Sequence, residues 1–279
     1  MSLQLFHDVS QQCSKLTTGA YSTSFASAIR LLHGDLREPV YNIYGFVRFA
    51  DEIVDTFHDY DKPFLLAQFK AETLRSIESG ISLNPILHSF QLTVNKYQID
   101  HQLIAAFFRS MEMDLASTTY DKQGYNEYIY GSAEVVGLMC LHVFCNGNRA
   151  QFAKLEPSAR SLGAAFQKVN FLRDVNSDYN CLARTYFPGV DFRNFTRETK
   201  SIIEQEIALD FENAYEGIIA LPWKARFGVY VAYKYYMSLF HRIKRVQASR
   251  ILQQRIRIPN YKKALIVMRA GVKNQLKLI

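Results

Sequence analysis

Glycine and proline are scarce in this chain, 13 and 7 in 279 residues, and no stretch alternates apolar and polar residues as a half-buried strand does. Turn-rich β architectures are thereby excluded, and long helices with few breaks fit what remains. Cysteine is equally sparse: Cys13, Cys140, Cys145 and Cys181 form no Cys-x-x-Cys pair, which argues against a disulfide framework or a zinc site. With no recognisable signal peptide, the expected location is a reducing cytoplasm. The most apolar run, VVGLMCLHVFC at 135–145, is shorter than the roughly 20 apolar residues that span a bilayer, so the chain is not expected to cross a membrane. Internal repeats, low-complexity tracts and Gly/Ser linkers are also missing, and one domain over residues 1–279 is the simplest reading.

Acid is missing from the last part of the chain. All 26 Asp and Glu lie at or before Glu216, while residues 217–279 hold 14 Lys and Arg. The first 216 residues therefore set 19 bases against 26 acids, and the net charge of +7 comes from the C-terminal stretch. Such a basic stretch suits a solvated face, an anionic lipid surface, an anionic substrate or nucleic acid. In YKYYMSLFHRIKRVQ the bases alternate with apolar residues at helical spacing, which describes a packed helix with a basic face rather than a loose arm.

What is abundant is apolar and aromatic: 48% hydrophobic residues, with 20 Phe and 17 Tyr. Their spacing predicts an all-α chain with helices near 22–33, 37–58, 62–79, 84–96, 99–116, 124–146, 150–178, 197–219, 223–246 and 260–277. Breaks are expected at HGD (33–35), DKP (61–63), NGN (146–148) and FPGVDFRNFT (187–196), where Thr196 can cap the next helix.

Two of these helices carry acids in an unusual place. At about 100° per residue, Ile43, Phe46, Val47, Phe49, Ala50, Ile53, Val54 and Phe57 cover roughly half the circumference of 40–57. Tyr44, Arg48, Asp51 and Asp55 form a narrow stripe beside that arc, with Glu52 and Thr56 farther toward solvent. In FQKVNFLRDVNSD (166–178), Asn170, Asp174 and Asp178 share a stripe with Gln167 and Gly163, flanked by Phe166 and Phe171, while Arg173 is expected to point away from Asp174. Carboxylates beside a buried surface must be paired, neutralised or bound to a cation. Magnesium prefers oxygen ligands and is commonly held by one or two carboxylates plus substrate phosphates, so two such helices facing each other suit a diphosphate with its metal ions. Acids at i,i+4 on an ordinary solvated or ion-paired face are the plain alternative. Asp114, in RSMEMDL, sits in a helix of the same character, and Arg184 and Tyr186 follow the second stripe where a guanidinium can clamp a phosphate.

These residues resemble the squalene/phytoene synthases, which join two allylic prenyl diphosphates head to head. Tyr44, Arg48, Asp51, Glu52 and Asp55 in YGFVRFADEIVD resemble the family's first aspartate motif. Gln167, Asn170, Arg173, Asp174 and Asp178 resemble its second, followed by Arg-x-Tyr-Phe-Pro at 184–188. YSTSF, containing Tyr21, Ser22, Ser24 and Phe25, is similar to the diphosphate-binding segment, and YIYGSAEVVGLM (128–139) to the family's Tyr-rich substrate helix. Asp114, Tyr236 and Arg255 also have counterparts, in order along nearly the whole chain. Two departures stand out: Glu134 replaces a usually small residue, with the prospect of narrowing or repolarising the substrate channel, and the spacing from Asp178 to Arg184 is one residue longer than usual.

The resemblance implies a helical bundle around an apolar cavity, with magnesium (or manganese in its place) on Asp51, Asp55, Asn170, Asp174 and Asp178. Arg48, Arg173, Arg184, Arg255 and the Ser22 and Ser24 hydroxyls would meet phosphate oxygens. Ionisation of one diphosphate, attack by a second prenyl chain and rearrangement of a cyclopropylcarbinyl diphosphate would follow. The short chain, the DEIVD form of the first motif and the lack of a C-terminal anchor look most like bacterial members that make phytoene from two geranylgeranyl diphosphates without NADPH. Dehydrosqualene or squalene formation from farnesyl diphosphate is the nearest competitor, because a few side chains alter cavity depth. A head-to-tail prenyltransferase or terpene cyclase would carry a different second motif. A non-catalytic module binding membrane or nucleic acid through 217–279 would leave the acidic stripes unexplained. Nucleic acid is not an expected partner; weak, salt-sensitive peripheral attachment to the inner face of a membrane is.

Overall fold

The computed structural model describes residues 2–116, 119–182, 186–190, 194–251, 255–276 and 279, with side chains of 176–182 and 249 outside that description. Among the described residues every regular element is helical: α1 (Leu3–Tyr21), α2 (Thr23–Ile29), α3 (Gly34–Asp55), α4 (Lys62–Ser79), α5 (Pro85–Tyr97), α6 (His101–Ala116), α7 (Lys122–Ile129), a π-helical turn (Tyr130–Glu134), α8 (Val135–Cys145), α9 (Arg149–Leu182), α10 (Arg197–Ala220), α11 (Trp223–Arg245), α12 (Ala248–Ile251) and α13 (Asn260–Gln275). The expected punctuation is present. Asp61 accepts from the Phe64 amide at the start of α4, Asn84 from the Ile86 and Leu87 amides at the start of α5, and Thr196 from the Thr199 amide at the start of α10.

Helix α1 departs from the expectation, which began at residue 22. Its inward face is polar: Ser10, Ser14 and Thr18 are fully buried, while Leu3, Leu5, Val9 and Leu16 are exposed. The buried hydroxyls are satisfied, Ser14 by Ser89 at 2.6 Å and Ser10 and Thr18 by carbonyls one turn back. A small residue is needed opposite, since a Cβ on Gly45 of α3 would lie 2.7 Å from Ser14 Oγ. Helix α3 also starts earlier than expected, with Pro39 inside it, and the short α12 was not anticipated.

Apolar burial falls into two clusters. One joins α3, α5, α6 and α8 around Phe46, whose ring stacks on Phe90 at 3.9 Å and meets Phe107 and Phe108. The other joins α9, α10 and α11 around Phe171, Phe211, Tyr230, Tyr235 and Phe240. Residues of both clusters wall the cavity described below: Ile29, Ile43 and Met111 from the first, Phe171, Ile218 and Tyr236 from the second.

Helix α7, the π-helical turn and α8 run on without a break for 24 residues, Lys122–Cys145, long and apolar enough by themselves to cross a membrane. The sequence reading considered only 135–145 and found it too short. Half of the apolar stretch is buried, and Tyr128, Ser132, Val136 and Cys140 line the cavity, so this run packs as an interior helix. Glycine lets it do so: a Cβ on Gly131 would fall 2.5 Å from the Ala106 carbonyl of α6, and one on Gly163 of α9 would fall 2.7 Å from the Ala133 carbonyl. Gly163 thus serves helix contact. Gly131→Ala should lower stability by about 1–3 kcal/mol through overpacking against α6, measured as a lower urea midpoint with an unchanged slope.

Candidate active site

A cavity of about 650 Å³ runs between the two clusters. It brings together Tyr21, Ser22, Phe25, Tyr44, Arg48, Asp51, Asp55, Asp114, Gln167, Asn170, Arg173, Asp174, Tyr186, Tyr236 and Arg255, all singled out in the sequence. Ser24 is not on its wall. The Asp178 side chain and the whole of Arg184 lie outside the described residues, so neither is located here.

One wall is α3, whose helical repeat carries Tyr44, Arg48, Asp51 and Asp55 up the same side. Arg48 is ion-paired to Glu52 and lies 4.4 Å from the Tyr21 ring centroid. Glu52 is therefore half-buried and engaged, not turned to solvent as the wheel suggested. Asp114 enters from α6 and accepts a 2.7 Å hydrogen bond from the Tyr128 hydroxyl. Burial raises Asp51 to about 8, with the charges of Asp55 and Asp114 adding and Arg48 opposing. Burial, with Asp51 close by, likewise pushes Tyr44 up to about 12, so its hydroxyl stays a donor.

The facing wall is α9. Asn170 Oδ1 accepts from Tyr236 at 3.2 Å, and Tyr236 stacks on Phe166 at 3.8 Å. Arg173 does not point away from Asp174: its Nε lies 3.0 Å from both carboxylate oxygens. Arg255 adds a second guanidinium, its Nε 2.8 Å from Asp174 Oδ1. On α9, Asp174 is thus held by two arginines, whereas on α3 Arg48 is ion-paired to Glu52.

Phe25 marks the boundary between polar and apolar halves, with its ring 5.8 Å from Tyr44, 6.2 Å from Phe166 and 5.9 Å from Tyr236. Beyond it the lining is apolar or small, including Leu155, Ala159, Leu162, Ala214, Gly217 and Ile218. Tyr186 closes one side, stacked on Phe171 at 4.1 Å. Glu134 does not narrow the channel. It is absent from the lining and pairs with Arg160 of α9 at 2.6 Å. Sequence reasoning missed Tyr128 as the partner of Asp114, since nothing in the spacing of two residues on different helices signals that bond.

The donor set suits a divalent cation. Asp51, Asp55 and Asp114 bring carboxylate oxygens from α3 and α6 to one cavity, and burial with the charges of Asp55 and Asp114 disfavours an ionised Asp51 there, which a cation would relieve. Among the described residues no three His, Cys, Asp or Glu side chains are already gathered as a metal cage, so phosphate oxygens would have to complete any such site.

Similarity to known proteins covers the same part of the chain. The family model described as squalene/phytoene synthase matches residues 18–262. A phytoene synthase of Arthrospira platensis is 28% identical, with 92% of this chain and 90% of that one covered. The chloroplastic phytoene synthase 1 of Zea mays is 25% identical over 80% of this chain, which spans only 58% of that longer protein. A crystal structure of a dehydrosqualene synthase superposes with a TM-score of 0.81 at 20% identity, covering 98% of both chains.

The raised Asp51 carboxyl makes stability pH-dependent. Between its ordinary value of 3.8 and about 8, the folded chain keeps a proton that the unfolded chain has lost, so rising pH destabilises the fold across that window. Asp51→Asn removes the effect. In metal-free buffer the variant should melt above wild type at pH 8, and the two should converge near pH 3.

Proposed function

The chain belongs to the squalene/phytoene synthase family, prenyltransferases that condense prenyl diphosphates head to head, and from that premise we propose that it makes phytoene from two geranylgeranyl diphosphates. The observation that carries the reading is one continuous cavity, with carboxylates and arginines at one end and an apolar interior beyond Phe25. Phytoene synthases among the relatives that align with most of this chain support the twenty-carbon substrate.

Magnesium, held by Asp51, Asp55, Asn170, Asp174 and Asp178, would supply the charge that turns diphosphate into a leaving group. The protein's own groups do the rest. Arg173 and Arg255 exchange Asp174 for phosphate oxygens, Arg184 joins them, and Arg48, Ser22 and Tyr44 add donors from the facing wall. Phe25, Phe166, Phe171, Tyr186 and Tyr236 present aromatic faces to the allylic cation, while the apolar interior holds both prenyl tails and excludes water. The second chain's double bond attacks that cation, and loss of a proton closes a cyclopropylcarbinyl diphosphate, which releases its own diphosphate and rearranges. Loss of a second proton ends the sequence, so no hydride from NADPH is used.

Asp55→Asn removes a carboxylate charge from an exposed position with little change of shape. Turnover should fall by roughly two orders of magnitude or more while the melting temperature stays near wild type, and Asp174→Asn should do the same. Normal rates in both variants would remove the metal assignment.

Product identity is tested by supplying farnesyl and geranylgeranyl diphosphates with magnesium, with and without NADPH, and analysing the hydrocarbon by mass and ultraviolet spectrum. The expected product is a forty-carbon triene chromophore formed equally well in both conditions. A thirty-carbon product, or dependence on NADPH, would overturn the phytoene reading and leave the family and the fold intact.

A further inference from the structure

The π-helical turn, Tyr130–Glu134, is wedged between two helices. A Cβ on Gly131 would fall 2.7 Å from Ser110 Cβ of α6, while the backbone at Ala133 and Glu134 closes on Gly163 of α9. Ser132 stands between these contacts and lines the cavity. Its Oγ is buried, with no hydrogen-bond partner among the described residues. Other hydroxyls on the wall are engaged: Tyr128 donates to Asp114, Tyr236 donates to Asn170, and Ser22 accepts from the Phe25 amide. Burying an unpaired hydroxyl costs stability that alanine would restore, so packing does not account for Ser132.

Depth in the cavity does. Tyr128, four residues before, is tied to the carboxylate end through Asp114, and Val136, four residues after, belongs to the apolar lining. Ser132 therefore stands at the boundary, about one turn below the carboxylates. Across from it, Gly163 meets the turn, and Gln167 follows one turn nearer to Asn170 and Asp174. The turn itself is wide, with the Val135 amide reaching five residues back to the Tyr130 carbonyl, a geometry that recurs at functional sites. With a diphosphate at the carboxylate end and its prenyl tail in the interior, the carbon that bears the diphosphate falls at this boundary.

We propose that Ser132 is a catalytic residue that relays the proton lost when the cyclopropane ring closes. The assignment rests on the head-to-head reaction proposed above, but not on the chain length of its substrate. Addition of the second chain's double bond to the allylic cation forms one carbon–carbon bond and leaves a tertiary cation. The ring then closes through the carbon that carried the released diphosphate: its C–H electron pair becomes the second ring bond. The proton passes to Ser132 Oγ as the hydroxyl's own proton passes to an oxygen of that diphosphate. No electron is exchanged with any other species, and the diphosphate departs with one proton more. A hydrogen beside a carbocation is acidic enough for a neutral hydroxyl to take, provided that the hydroxyl can shed its own proton at once. Tyr128 is less suited to the part, because its proton is already given to Asp114.

Ser132→Ala is tested in single turnovers with magnesium, using whichever of farnesyl and geranylgeranyl diphosphate the wild type converts, so that this assignment and the product assignment fail separately. Formation of the cyclopropylcarbinyl diphosphate, read as loss of substrate and by mass, should slow about a hundredfold. Substrate dideuterated at its first carbon should then show a larger isotope effect than in the wild type. The same intermediate, supplied ready-made, should still give hydrocarbon at the wild-type rate. Ser132→Thr, which keeps a hydroxyl, should recover most of the lost rate. Ser132→Ala should also melt at or above the wild-type temperature and bind the unreactive geranylgeranyl thiodiphosphate as tightly. Intermediate formed at the wild-type rate, equal slowing of both half-reactions, an unchanged isotope effect, no rescue by threonine, or weakened binding of the thiodiphosphate would each overturn the proposal.

Discussion

Negative charge held against an apolar wall is the constraint on which the rest of this structure depends. Asp51, Asp55 and Asp114 approach from two helices at the mouth of a cavity whose interior is hydrocarbon and aromatic. With burial and the neighbouring charges together lifting Asp51 to about 8, the fold carries a cost that an apolar replacement would remove. Across the cavity the problem is solved differently, with Arg173 and Arg255 on Asp174. One wall thus sets its arginine on Glu52, and the other sets two arginines on Asp174. On the proposed function, a diphosphate arriving with metal ions would act on both walls at once, supplying cations to α3 and anionic oxygens to the arginines.

The scaffold is arranged to keep these walls at a fixed separation. Helix α9 is in contact with the π-helical turn through Gly163, and that turn is in contact with α6 through Gly131, each approach too close for a side chain. Helix α6 in turn presents Asp114, tied to the run that includes the turn by the Tyr128 hydroxyl. Helix α1 packs against α3 where the buried Ser14 closes on Gly45. Substitutions at these contacts would move carboxylates relative to one another, and catalytic geometry is sensitive to displacements of about 1 Å.

Much of this was legible in the sequence, for a physical reason. Asp51 and Asp55, and Asn170 and Asp174, repeat every four residues on helices whose other sides are apolar, so a wheel alone places each pair on one wall. The same method fails where its premise fails. Helix α1 buries Ser10, Ser14 and Thr18 and exposes leucines, which inverts the signal that apolar periodicity relies on. Arg173 is adjacent to Asp174 in sequence and so points elsewhere on a wheel, but its long side chain curls back to the carboxylate. Arg48 and Glu52 form an ion pair one turn apart, which a wheel that assigns Glu52 to solvent overlooks. Glu134 replaces a usually small residue of the substrate helix, which suggested a narrowed channel; its carboxylate instead pairs with Arg160, off the cavity wall. The bond between Tyr128 and Asp114 depends on tertiary approach, to which local spacing is blind.

The central claim is that one cavity accepts two diphosphates whose binding requires metal. Calorimetric titration with geranylgeranyl thiodiphosphate, which resists ionisation, tests it most directly. The account predicts two ligands per chain with magnesium present and loss of binding in a chelator. A single ligand per chain, or equal affinity without metal, would contradict it.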